Sequence, residues 1–207
     1  MNLIDISWPI SENITEYKNK KSIKIIQTSK YKKDGVREKL ITFNSHTGTH
    51  IDAPSHFTEN GKTLDQLTLN KFYGLCKIFD LTNVKEKITS KNLENLDIQK
   101  NDIVILKTTN SNLQEEGDFV SDYVYLEKSG AKYLADKKIK TFGFDYLGIE
   151  SNQPNHETHK YLLENEIPII EGLRLKNVKQ GKYILSCFPI YINNADGAPA
   201  RAILIEK

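Results

Sequence analysis

All five histidines of this chain fall in two short windows, His46, His50 and His56 in the first and His156 and His159 in the second. Histidines scattered through a core for packing would not gather in this way. The first window reads Ser45-His46-Thr47-Gly48-Thr49-His50-Ile51-Asp52-Ala53-Pro54-Ser55-His56, which sets His46, His50, Asp52 and His56 at offsets 0, 4, 6 and 10. Every offset is even. Side chains alternate faces along a strand, so an extended segment points His46, His50 and Asp52 to one side, with His56 beyond the turn that Pro54 invites. A helix would swing Asp52 away from the two imidazoles, and Gly48 and Pro54 both oppose one. Two imidazoles and a carboxylate converging on a point suit zinc, or manganese or iron(II), whose preferences overlap. Hydroxyls on Ser45, Thr47 and Thr49 are available to orient them. The plainer alternative is a polar strand whose histidines bond to carbonyls while Asp52 caps the following turn, and the clustering favours the metal.

The second window, Asn155-His156-Glu157-Thr158-His159, reads as the first turns of a helix after Pro154. Glu171 follows His159 by twelve residues, at the end of the strand-like run Ile167-Pro168-Ile169-Ile170. A helix and the strand after it can return to a common point, and a carboxylate closing an apolar run is costly to bury unless it is paired or metal-bound. His159 and Glu171 are therefore candidate ligands. His156 reads as a bystander at the helix terminus.

The elements that must hold these residues are mostly strands in the first half. β-Branched and aromatic content predicts strands over 2–6, 22–28, 36–43, 74–81, 103–107, 141–144, 167–170, 183–188 and 201–205. Asp34-Gly35 between the second and third is a turn signal for an N-terminal β-hairpin. Helices are expected from Ser90, over 129–138 and over 157–166. The class is mixed α/β, strand-rich, and the absence of repeats or a long Pro/Gly/Ser linker predicts one domain over residues 1–207.

Composition narrows the function. The 29 basic and 27 acidic residues leave a net charge of +2, too balanced for an obligate nucleic-acid binder. The lysines between Lys18 and Arg37 read as protection of an exposed strand edge. Gly61-Lys62-Thr63 is not a phosphate loop, because His56 stands where its first glycine belongs. No apolar run is long enough to span a membrane, and the first residues lack a secretory pattern, so a cytoplasmic protein with no membrane partner is expected. Cys76 and Cys187 are expected to be buried free thiols.

The run from His46 to His56 closely resembles the His-x-Gly-Thr-His-x-Asp-x-Pro-x-His signature of the cyclase family of metal-dependent hydrolases, which includes bacterial kynurenine formamidases and isatin hydrolases. Weaker matches are Asp5-Ile6-Ser7, Gly143-Phe144-Asp145, His159 with Glu171, and Asp196-Gly197-Ala198-Pro199-Ala200-Arg201-Ala202. The resemblance implies a swivelling β/β/α domain, assembled as a homodimer or homotetramer. It implies that His46, His50 and Asp52 hold one Zn2+, that Asp52, His159 and Glu171 hold a second with Asp52 bridging, and that His56 is the catalytic proton shuttle. Mn2+ is the alternative metal. Where the family tends to carry a Trp-Pro-Gly-Asp-type segment this chain has 14–20, which leaves Trp8 and Tyr17 as candidates for the aromatic wall of the substrate pocket. Gly148 and Glu150 likewise replace the family's frequent Ser and Asp in the segment 145–150.

Bound metal lowers the pKa of its water towards 7 and polarises a carbonyl, so hydrolysis of a C–N bond follows naturally. The expected substrate is a small-molecule amide, an aryl formamide such as N-formylkynurenine, with a lactam, imide or cyclic amide such as isatin as the nearest rival. A non-catalytic metal-binding module is the rival of a different class, and a ligand set with no open position would favour it.

Overall fold

The computed structural model describes residues 1–206. In chain order the elements are β1 (Asn2–Asp5), β2 (Lys24–Ser29), α1 (Tyr31–Asp34), β3 (Glu38–Thr42), β4 (His50–Asp52), β5 (Tyr73–Asp80), β6 (Lys87–Ile88), α2 (Ser90–Leu93), β7 (Ile103–Lys107), β8 (Tyr125–Leu126), α3 (Lys128–Asp136), β9 (Thr141–Phe144), α4 (Glu157–Leu163), β10 (Ile169–Glu171), β11 (Gly181–Pro189) and β12 (Gly197–Glu206). The fold is mixed α/β and rich in strands.

Seven strands close on themselves in the order β12-β11-β5-β7-β9-β10-β4, because β4 pairs with β10 on one side and with β12 on the other. Closure depends on the length of β12. Its first residues, Gly197–Pro199, pair with β4; Ala200 to Ile205 pair with β11; and its last residues also carry β1. The strands β5, β7, β9 and β10 run parallel, and antiparallel β11, β12 and β4 complete the barrel.

Alternation along each strand sorts the side chains into two cores. Ile103 and Ile105 of β7 join Ile51, Cys76, Ile78, Ile170, Leu185, Cys187 and Leu204 in the barrel interior. Val104 and Leu106 join Phe142, Phe144 and the helices on the outside, where Ala131 and Leu134 of α3 and Leu162 and Leu163 of α4 pack. Each such Leu, Ile or Phe contributes about 1.5–3 kcal/mol by leaving water, and burial on both faces explains the unbroken apolar run of β7. The same alternation decides where the chemistry sits. With Ile51 and Ile170 turned inward, His50 and Asp52 on β4 and Glu171 on β10 are turned outward, in the register Glu171 to His50 and Ile169 to Asp52.

Several expectations need correction. Strands β2 and β3 do pair antiparallel, but α1 joins them, with Gly35 at φ 71 closing its end, rather than a tight two-residue turn. The Asp34 carboxylate accepts from Lys30 N at 2.7 Å and winds the segment into a helical turn. β12 starts at Gly197, four residues before the expected 201, and α4 ends at Leu163. The extended segment expected over 46–52 is strand only at His50–Asp52. Among the described residues no helix is long and apolar enough to cross a membrane, and both cysteines are buried and free.

Candidate metal centre

Gly48 explains how His46 reaches the site without a strand. Its φ of 61 turns the chain, and a Cβ there would press on Trp8 O and Ile10 Cγ1, both at 3.3 Å. The turn brings His46 Nδ1 to 2.7 Å from Asp52 Oδ1. His50 donates from Nδ1 to the Gly48 carbonyl at 2.9 Å, which leaves Nε2 facing Glu171 Oε2 at 3.2 Å and Asp52 Oδ1 at 3.5 Å. A histidine fixed through one nitrogen presents the other as a ligand. Thr49 does not touch the imidazoles; it donates to Gly172 O and accepts from Trp8 N, tying the loop to its neighbours.

Helix α4 delivers His159 because that residue shares a buried face with Leu162 and Leu163. Its Nε2 lies 3.4 Å from Glu171 Oε1 and 3.8 Å from Asp52 Oδ2. Glu171 is further held by Ile149 N, which donates to Oε1 at 2.7 Å. The structure thus brings His46, His50, Asp52, His159 and Glu171 together. His56, on the turn Pro54–His56, stacks on His46 with ring centroids 3.9 Å apart and contacts Asp196 Oδ2 through Nδ1 at 3.3 Å.

The electrostatics suit a cation. Asp52 is 1% exposed and Glu171 4%, and two buried carboxylates this close need positive charge between them. Burial pulls the pKa of His46 down, but Asp52 and Asp196 outweigh it and raise it to about 9. Burial lowers His159 too, and Glu150 and Glu171 raise it to about 10. Burial alone would raise Glu171, yet His159 and His50 hold it far below the usual carboxylate range. Protonated imidazoles here balance charges that a divalent ion would balance instead. Among the described residues three groups of ligand atoms meet the spacing for an ion: His46-Asp52-His56, His50-Asp52-Glu171 and Glu150-His156-His159. Nitrogen and carboxylate donors of this kind fit zinc or manganese.

A pocket of about 240 Å³ opens over these groups, with Tyr17, Phe57 and Leu147 in its lining. Tyr17 is where the sequence placed it. Trp8 is not: it is 2% exposed, donates from Nε1 to Glu115 O at 2.9 Å and packs beneath Arg174 in the outer core. His156 is not a bystander, since it lines the pocket and meets Glu150 through Nδ1. Sequence reasoning missed three further residues. Asp196 accepts from His46 Nε2 at 2.9 Å; it begins the weak motif near the chain's end, which was its only signal. Phe57 stacks on His159 and touches His56 and His156. Glu150, visible only as an altered motif position, is buried between His156 and His159.

A closed barrel with a cluster of imidazoles and carboxylates on its outer face defines a class, and the sequence comparisons agree with it. The chain belongs to the cyclase family, whose family model matches residues 4–151. It is 31% identical to the kynurenine formamidase of Bacillus cereus over 203 residues, 97% of this chain and 96% of that one. Cyclase-like protein 3 of rice, Oryza sativa, is 36% identical over 78% of this chain and 63% of its own. Among solved structures, the predicted metal-dependent hydrolase of Bacillus stearothermophilus superposes with a TM-score of 0.88 at 41% identity, covering 98% of this chain and 97% of its own. An isatin hydrolase bound to the product analogue thioisatinate shares the fold, with a TM-score of 0.86 at 21% identity and coverage of 99% and 92%.

Proposed function

We propose that this chain is a metal-dependent amidohydrolase that cleaves the C–N bond of an aryl formamide such as N-formylkynurenine, in tryptophan catabolism. The observation that carries this reading is the convergence of His46, His50, Asp52, His159 and Glu171 beneath one pocket, with His56 beside them. His46, His50 and Asp52 would hold one Zn2+, and Asp52, His159 and Glu171 a second, with Mn2+ as the alternative. Asp52 suits the shared position because Oδ1 faces His46 and His50 while Oδ2 faces His159. When bound, the metal supplies a Lewis acid and a lowered pKa for water.

The chain's own residues do the rest. His56 accepts the proton of the attacking water and returns it to the departing arylamine as the C–N bond breaks and formate leaves. Burial holds its pKa below the ordinary value, so it is neutral and able to accept at pH 7. Asp196 orients its ring. Tyr17, Phe57 and Leu147 wall the pocket and suit an aryl ring.

This reading also takes residues 1–207 as a single domain of the swivelling β/β/α type, working in the cytoplasm as a homodimer or homotetramer, with a small molecule rather than nucleic acid or a membrane as its partner. The exposed Tyr73, Leu75, Phe188 and Tyr191 support self-association. The test is hydrolysis of N-formylkynurenine by zinc- and manganese-reconstituted protein beside a chelated sample. Metal-dependent turnover at about 10⁴ M⁻¹s⁻¹ or above is expected. No turnover by metal-loaded protein would overturn the formamide assignment and direct the search to isatin-like lactams and imides.

A further inference from the structure

We propose that Glu150, His156 and the Nδ1 edge of His159 form an additional divalent-cation seat at the pocket rim, one that competes with the pocket floor for His159 and so switches the site off when metal is in excess. The inference rests on the reading above, in which His159 serves the floor through Nε2.

Glu150 lies almost fully buried between two imidazoles. One carboxylate oxygen meets His156 Nδ1, and the other lies 3.1 Å from His159 Nδ1. The ligand atoms of all three residues lie within 4.8 Å of one another. His159 is 6% exposed, and its Nδ1 is buried without a hydrogen-bond partner, because the nearby Glu150 oxygen is not aligned with it. A buried ring nitrogen left without a partner beside a buried carboxylate is the arrangement a cation completes. His156 supplies the third ligand from the mouth, with its side chain 57% exposed. Two histidines and one glutamate form a recurring zinc set that leaves a fourth position for water.

Competition follows from the chemistry of imidazole. A neutral ring has one lone pair and one N–H. With metal on Nε2, the Nδ1 of His159 carries its proton and faces Glu150. With metal on Nδ1, the Nε2 carries the proton, and Glu171 Oε1 is in place to accept it at 3.4 Å. One neutral ring cannot serve both. The floor has the advantage at low metal, since its carboxylates are both buried and shared, whereas the rim seat depends on an exposed His156. Rising metal fills the rim and takes from Asp52 and Glu171 the imidazole of His159.

The test follows zinc titration of the whole protein, in wild type and His156→Ala, by formamide turnover and by the ring-nitrogen NMR signals of its five histidines. In the wild type, zinc beyond that needed for full activity is expected to lower turnover while the signals of His156 and His159 move together, His159 changing from the pattern of an Nε2-bound ring to that of an Nδ1-bound one. In His156→Ala, with turnover expressed relative to that variant's own maximum, the inhibitory phase and the His159 change move to more than about tenfold higher zinc, at least the loss an outer partner costs a metal site. An inhibitory phase identical in His156→Ala, or a His159 ring that keeps its Nε2 pattern at high zinc, overturns the proposal with the hydrolase reading intact. Absence of zinc-dependent formamide turnover overturns the formamide reading, and the histidine signals then still decide for or against the rim seat.

Discussion

Gly197 and His46 occupy one volume: a Cβ on Gly197 would stand 2.5 Å from Cε1 of the imidazole and 3.0 Å from each of its nitrogens. Gly197 pairs with Asp52 across the β4–β12 seam, so the missing side chain makes the space in which His46 reaches that carboxylate. Gly197→Ala is expected to displace His46 and weaken metal binding by about tenfold or more, with the fold retained. Zinc affinity from chelator competition checks it, and an unchanged affinity would show that His46 is not a ligand.

His56→Ala should keep its metal and lose turnover by about 10²-fold or more, the usual share of a general base. Elemental analysis beside kinetics separates the roles. Loss of metal in parallel with activity would make His56 a ligand instead.

Asp52→Asn and Glu171→Gln should differ in metal count. The first removes a carboxylate within reach of His46, His50 and His159, so both ions are lost; the second touches only His50 and His159, so one ion remains. Equal stoichiometry in the two variants would argue against Asp52 as the shared ligand.

The metal-free protein should have a stability window in pH. His46 and His159 titrate higher when folded, near 9 and 10, than the ordinary 6.5. Their contribution is therefore complete below about pH 6.5 and is lost as pH rises through those values. For His46 the loss is on the order of 3 kcal/mol, from about 1.4 kcal/mol per unit. Glu171 titrates lower when folded, so its contribution is present above the ordinary carboxylate range and is lost on acidification. Urea midpoints should fall from pH 6 to pH 9 with chelator, and far less with zinc, whose ligands are already deprotonated. The same alkaline fall with and without zinc would contradict a metal at these histidines.

Trp8→Phe and Tyr17→Ala should separate stability from substrate binding. Trp8 fills the outer core and donates to Glu115, so its truncation costs about 1–3 kcal/mol of stability and leaves KM unchanged. Tyr17 lines the pocket, so its loss raises KM several-fold with little change in the thermal midpoint. A raised KM in Trp8→Phe at full stability would restore Trp8 to the pocket wall.

Much of the site was legible because its key residues sit close together in the chain. His50, Asp52 and Glu171 owe their common face to strand alternation, which a sequence displays. The route taken by His46 was not legible, since even spacing assumed a strand where Gly48 makes a turn. Asp196 was harder still: its bonds to His46 and His56 join residues about 150 positions apart, and periodicity carries no information on such pairs. Trp8 and Tyr17 look alike as aromatic candidates in the sequence, and only packing shows that Trp8 is roofed by Arg174 while Tyr17 stays open. The strands were placed well wherever burial on both faces produced long apolar runs, and short β4 and β10 were blurred because their residues are chosen for the site as well as for the sheet.

The seam between β4 and β12 sets a timetable. The residues that hold His46 and Asp52 in place, Asp196 and Gly197, come from the far end of the same chain that supplies the imidazoles. During synthesis His46, His50 and Asp52 emerge long before the partners that fix them, Asp196 standing 150 positions beyond His46. Pairing across such a separation is a slow step, so metal capture in the mature arrangement marks the completion of folding rather than its beginning.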